Sequence, residues 1–128
     1  MTPTSDRSST NSIALDPAAL ASLGDLLDHD VVAWDELVNT QIANGARLAD
    51  EVRRALASAD WELLGRASHT LKSSSALFGA RDLAHTCQQV EAAVHRRETT
   101  HLAGQVEELL ALFALTDRAL RQLLGNVP

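Results

Sequence analysis

Between Asp30 and Ser58 the residues Trp34, Val38, Ile42, Gly45, Ala49, Val52 and Leu56 recur at spacings of three or four. That is the period of one helix face, and an apolar stripe this long has to be covered by other helices. It predicts a long helix from just after Asp30 to about Ser58. Gly45 inside it costs roughly 1 kcal/mol relative to Ala, which close packing by a neighbouring helix would explain. The composition agrees with helix: Ala and Leu dominate, aromatics make up 3%, and β-branched residues nowhere alternate with polar ones. At 45% hydrophobic, 128 residues can bury a real core.

Four further helices follow from local signals. Asp16 is a good N-cap with Pro17 at the first helical position, starting a short helix that runs to about Leu27. Asp60 caps a helix that ends at Gly79, a glycine suited to the position just past a helix end. A fourth helix covers about 82–97, with Leu83, Cys87, Val90 and Val94 inward. The segment "ETT" (98–100) breaks the chain, with Thr100 as cap for a fifth helix. That helix carries Leu102, Val106, Leu109, Phe113, Leu120 and Leu124 on one stripe and ends near Gly125. The predicted fold is all-α: an antiparallel four-helix bundle with a short additional N-terminal helix over one end. Residues 1–13, almost wholly Ser, Thr and other polar types, read as a disordered tail or linker, and 14–126 as the domain. A linker would imply a larger protein.

The formal net charge of −6 argues against a nucleic-acid binder and against an anionic membrane surface. Cys87 is the single cysteine, which rules out an intramolecular disulfide and fits a reducing compartment. No apolar run approaches the ~18 residues of a membrane span, and the N-terminus lacks the apolar stretch of a secretory signal. The expectation is cytoplasmic, either as a free-standing protein or as one domain of a larger one.

One histidine stands out. With successive residues about 100° apart, Leu64, Ala67, Leu71, Ser74 and Phe78 fall within about 40° of the side opposite His69. His69 therefore points away from the apolar arc. Its own face carries the small residues Gly65, Ser73 and Ala76, with Lys72 on one side and Arg66 on the other. Room for a partner's surface, beside positive charge for an anion, reads as an accessible functional histidine; the alternative is an exposed histidine with no role. His29 lies in a loop, His85 points outward, and His95 and His101 flank the fourth break. No His-x₃-Glu or Glu-x₂-His pairs face one another, so no metal site is expected. Cys87 reads as packing, and Trp34 and Trp61 as core or end-cap aromatics.

The segment "HTLKSSSALFGARDLAHTCQQVE" (69–91) resembles the signature of histidine-containing phosphotransfer (HPt) domains of multistep two-component phosphorelays. The matching positions are His69, Leu71, Lys72, Ser74, Gly79, Leu83, Cys87, Val90 and Glu91, preceded by the similar "ADWELLGRASHTLK" (59–72). The resemblance spans about 14–124 and shares the five-helix architecture. Ser73 departs from it, standing where the family usually has glycine.

The resemblance implies that His69 accepts a phosphoryl group from a receiver-domain aspartyl phosphate and passes it to a response-regulator aspartate. Glu91 would hold the Nδ1–H and leave Nε2 nucleophilic, Lys72 would neutralise phosphoryl oxygens, and Gly65, Arg66, Ser73 and Ala76 would form docking surface. The chain would have no cofactor of its own, the acidic pocket, Mg²⁺ and aspartate coming from the receiver. Implied partners are the receiver domain of a hybrid histidine kinase, a response regulator, or both, with the isolated domain a monomer. Autonomous kinase activity is not expected, since there is no Gly-rich nucleotide loop. The alternative is an HPt-fold docking module that binds a signalling partner without phosphotransfer. A metal-binding bundle is disfavoured by ligand spacing.

Overall fold

The structure, a computed structural model, describes residues 13–128. The predicted tail lies outside the described residues, except for Ile13, which is not helical. Five helices follow in order: α1 (Pro17–Leu26), α2 (Val31–Ser58), α3 (Trp61–Leu77), α4 (Arg81–His95) and α5 (Leu102–Arg121), with no strand among the described residues. Helices α2 to α5 pack each against the next, and α5 returns to α2, closing an antiparallel bundle.

Local chemistry sets most boundaries. The carboxylates of Asp16, Asp30 and Asp60 accept from the backbone N–H of Ala18, Ala33 and Leu63 at 3.0–3.1 Å, capping α1, α2 and α3. Helix α3 ends in a Schellman closure, with Gly79 N–H donating to Ala76 and Ala80 N–H to Ser75. Helix α4 stops two residues before the expected Arg97. Arg97 takes a left-handed φ of 59°, and Glu98 N–H turns back to the Ala93 carbonyl at 2.9 Å. The expected cap Thr100 is not used: α5 begins at Leu102 after His101, with no side-chain cap bond. Burial of Leu102 fixes that register, and Leu102 N–H bonds the Thr99 carbonyl instead.

Two apolar clusters form the core. The larger joins the C-terminal half of α2, the N-terminal half of α5, and α3 and α4, around Val52, Leu64, Leu71, Leu83, Val90 and Leu109. The second fills the α1 end with Leu23, Trp34, Val38, Ile42, Phe78 and Leu120. Gly45 is explained by α5, since a Cβ there would meet Phe113 Cε1 at 3.0 Å. The buried arcs are wider than the predicted stripes and slightly rotated. Ala55, Ser75 and Ala93 are buried, while Leu56, Ser74, Val94, Phe113 and Leu124 are only partly so. Each bundle helix faces two neighbours, so Ser68 and Ser75, one heptad apart on α3, turn inward as Ser74 turns out.

Helix α1 is fastened beside the end of α3. Asp16 N–H donates to the Gly79 carbonyl at 3.0 Å, and the Asp16 carboxylate pairs with Arg81. Gly79 has φ +74°, and a Cβ there would lie 2.6 Å from both the Asp16 nitrogen and its Cβ. Gly79→Ala therefore combines left-handed strain with backbone overlap. It is expected to cost about 2–4 kcal/mol in chemical denaturation, beyond the ~1 kcal/mol of left-handed strain alone. A loss under 1 kcal/mol would mean that α1 is loosely held.

Candidate functional site

His69 lies mid-way along α3 with 58% of its side chain exposed, so its ring stands off the core as its angular position requires. Glu91, projecting from α4, meets it: His69 Nδ1 and Glu91 Oε2 are 2.7 Å apart. A carboxylate only accepts, so the proton of the neutral ring sits on Nδ1, and the Nε2 lone pair is left free. The other carboxylate oxygen, Oε1, accepts from Lys72 Nζ at 2.8 Å. Glu91 is thus gripped from both sides by α3, one turn apart along that helix.

The structure brings His69, Lys72 and Glu91 into one hydrogen-bonded chain, and it engages Lys72 first with Glu91 rather than leaving it free for an incoming anion. An ammonium has three N–H groups, so two stay available. The Lys72 bond is the main influence holding Glu91 below the ordinary carboxylate value of 4.5; partial burial opposes it and the His69 bond adds to it. The folded-state value is depressed, so the stabilisation from this network is fully present above the unfolded value. It is lost as pH falls through the lower folded value. A ¹³C NMR titration of the Glu91 carboxyl is expected to give a midpoint below 4.5. Lys72→Met is expected to move that midpoint up, and an unmoved midpoint would show that Lys72 does not act on Glu91.

Two grooves flank this chain. Gly65 and Arg66 line one, with Trp61, Ala92 and His95; Ser73 and Ala76 line the other, with Asp16, Arg81 and His85. Lys72 and Gln88 border both grooves, forming the ridge between them. Ser73, in the usual glycine position, is exposed and folds its hydroxyl back on the helix, Oγ lying 3.3 Å from the His69 carbonyl. Trp61, read as core or end-cap, is partly exposed and packs its apolar body against the larger core.

Gln88 and Ala92 escaped the sequence reading, and His95 was read only as flanking a helix break. They sit three before, one after and four after Glu91 on α4, and helical spacing from Glu91 would have found Gln88 and His95. His29 and His101 line neither groove: His29 bonds Asp25 within the α1–α2 corner, and His101 opens α5. Cys87 lies fully buried beneath the site, and burial pushes its thiol up to about 12. A thiol so rarely ionised is packing rather than a nucleophile.

The sequence model of the Hpt domain family matches residues 36–127. Among solved structures, the chain is similar to histidine-containing phosphotransfer protein B (HptB) from Pseudomonas aeruginosa PAO1. The two superpose with a TM-score of 0.80 at 24% identity, over 89% of this chain and 96% of that one. That likeness is one of fold. No curated protein matches the sequence.

Proposed function

Because the chain belongs to the Hpt domain family, whose members perform histidine phosphotransfer in phosphorelay signalling, we propose that His69 is the residue that carries the phosphoryl group. The observation that supports this is the exposed imidazole whose Nδ1–H is held by Glu91 at 2.7 Å, leaving Nε2 outward. Hpt domains work with receiver domains and response regulators, and here a receiver's aspartyl phosphate is the donor.

The Nε2 lone pair attacks phosphorus, the N–P bond forms, and the bond from phosphorus to the aspartyl oxygen breaks, returning the carboxylate to the receiver. The ring gains positive charge as it does so, and the Glu91 carboxylate on Nδ1–H balances it. Lys72 offers its remaining N–H groups to the phosphoryl oxygens, so that charge on both sides of the transferring group is matched. The acidic pocket and Mg²⁺ belong to the receiver, and the return step to a response-regulator aspartate is the same displacement reversed. Gly65, Arg66, Ser73 and Ala76 line the grooves that the receiver would occupy.

The test is to incubate the protein with phosphorylated receiver domains and follow label that is acid-labile and base-stable. Transfer of such label to this chain supports the reading. Receiver binding without label would replace it with a docking role. Glu91→Ala leaves the Nδ1–H without its acceptor and Lys72 without its partner, and is expected to slow transfer about 10- to 100-fold. Glu91→Gln, whose amide oxygen still accepts, should recover part of that loss.

A further inference from the structure

Among the described residues, the large apolar side chains left exposed are Leu26, Val31, Val32 and Leu77. Leu26 (78%), Val31 (47%) and Val32 (68%) sit together in sequence at the corner where α1 turns into α2, while Leu77 lies beside Phe78 of the same end cluster. The corner is built rather than frayed. Asp28 and His29 both adopt left-handed φ values of 54° and 57°, His29 N–H donates to the Gly24 carbonyl at 2.8 Å, and Asp30 caps α2. Strain of this kind persists only where the surroundings fix it.

The charge around this corner is one-sided. Residues 13–46 contain six acidic side chains and no Lys or Arg, and the rest of the chain carries eleven acids against eleven Lys and Arg. The whole net charge of −6 therefore resides in this stretch. Asp28, Asp30, Asp35 and Glu36 have no Lys or Arg partner among the described residues, and α1 has no basic residue in its last turn to offset the negative helix end.

We propose that the α1–α2 corner is a docking surface for a cationic amphipathic segment of another protein, whose apolar side chains cover Leu26, Val31 and Val32 while flanking Lys and Arg meet the acidic rim. A second copy of this chain would set acid against acid, and anionic lipid would be repelled in the same way. None of Leu26, Val31 and Val32 lines either groove beside the phosphoryl site. Asp16, at the start of α1, lines the groove beside Ser73, and the ten residues of α1 carry the chain about 15 Å onward to Leu26. A receiver and this second partner could therefore be held together.

The test titrates the full chain by NMR with a helical Leu/Lys peptide carrying apolar residues at i, i+3, i+4 and i+7, and with its Leu/Glu counterpart. The expected result is binding of the Leu/Lys peptide alone, with shifts centred on residues 26–36, weakened at least about tenfold by Leu26→Ser/Val32→Ser and by raising salt from about 0.05 to 0.3 M. Both substituted side chains are exposed, so a native circular dichroism spectrum and unchanged phosphotransfer are expected of the double variant. Binding by the Leu/Glu peptide, binding untouched by the double variant, or shifts centred on His69 would each overturn the proposal. So would a dimer in sedimentation that the double variant dissolves, or adsorption to anionic vesicles. Failure here leaves the His69 assay unaffected, and failure there leaves this surface standing.

Discussion

His69→Gln is expected to yield a protein that folds like the wild type, binds receivers and accepts no phosphoryl group at all. The fold should survive because the histidine is 58% exposed and takes no part in either core cluster. Glu91 keeps its bond to Lys72 at 2.8 Å, and the glutamine amide can donate where Nδ1–H did, so no buried charge is stranded. Stability should therefore stay within about 0.5 kcal/mol. The chemistry has no such substitute. An amide nitrogen has its lone pair delocalised into the carbonyl and is not a nucleophile, so the loss is complete rather than graded. The measurement is label transfer from a phosphorylated receiver, with receiver binding and denaturation followed on the same preparations. Residual label at more than a few per cent of wild type would move the acceptor to another side chain.

Trp34→Ala is expected to have the largest effect on folding. Trp34 is fully buried at the centre of the α1 end, tilted at 57° against Phe78 with ring centroids 6.5 Å apart. Its indole Nε1–H donates to the Leu123 carbonyl at 2.8 Å, tying the segment after α5 to the start of α2. Truncation removes the ring from contact with α1, α3 and α5 together and leaves that carbonyl without its donor. A cost of about 3–5 kcal/mol follows, which for a domain of this size lowers Tm by roughly 10–20 °C. Trp34→Phe keeps most of the apolar contact but not the N–H, and is expected to recover more than half of the loss. A Trp34→Ala cost below about 1.5 kcal/mol would mean that the end cluster is loosely packed and that α1 is not fixed by it.

The helices could be read from the sequence because their determinants are local. Asp16, Pro17, Asp30, Asp60 and Gly79 each act within one turn of chain, and each does at its position what its chemistry favours. Thr100 failed as a cap because the start of α5 is decided by where Leu102 meets the core, a tertiary matter. The same reason separates Ser75 from Ser74: a single helix's apolar arc does not reveal how two neighbours share it.

In the site, the outward direction of His69 follows from periodicity alone. The meeting of His69 with Glu91 does not, since they are 22 positions apart with a turn between their helices; family resemblance suggested the pair, and helix packing supplies the distance. The bond from Lys72 to the same carboxylate was not foreseen, because a lysine beside a histidine on one helix reads as a cation waiting for an anion. Its actual neighbour comes from α4. The left-handed corner at Asp28 and His29 was equally hidden, as neither is glycine.

The most direct measurement is to phosphorylate the chain, labelled with ¹⁵N in its histidine rings, from a receiver aspartyl phosphate and to read by NMR which ring nitrogen carries phosphorus. Because Glu91 holds Nδ1–H, the predicted product is phosphorylated at Nε2 of His69, with the other four histidines unchanged. Phosphorus on Nδ1 of His69, or on His29, His85, His95 or His101, would contradict the account.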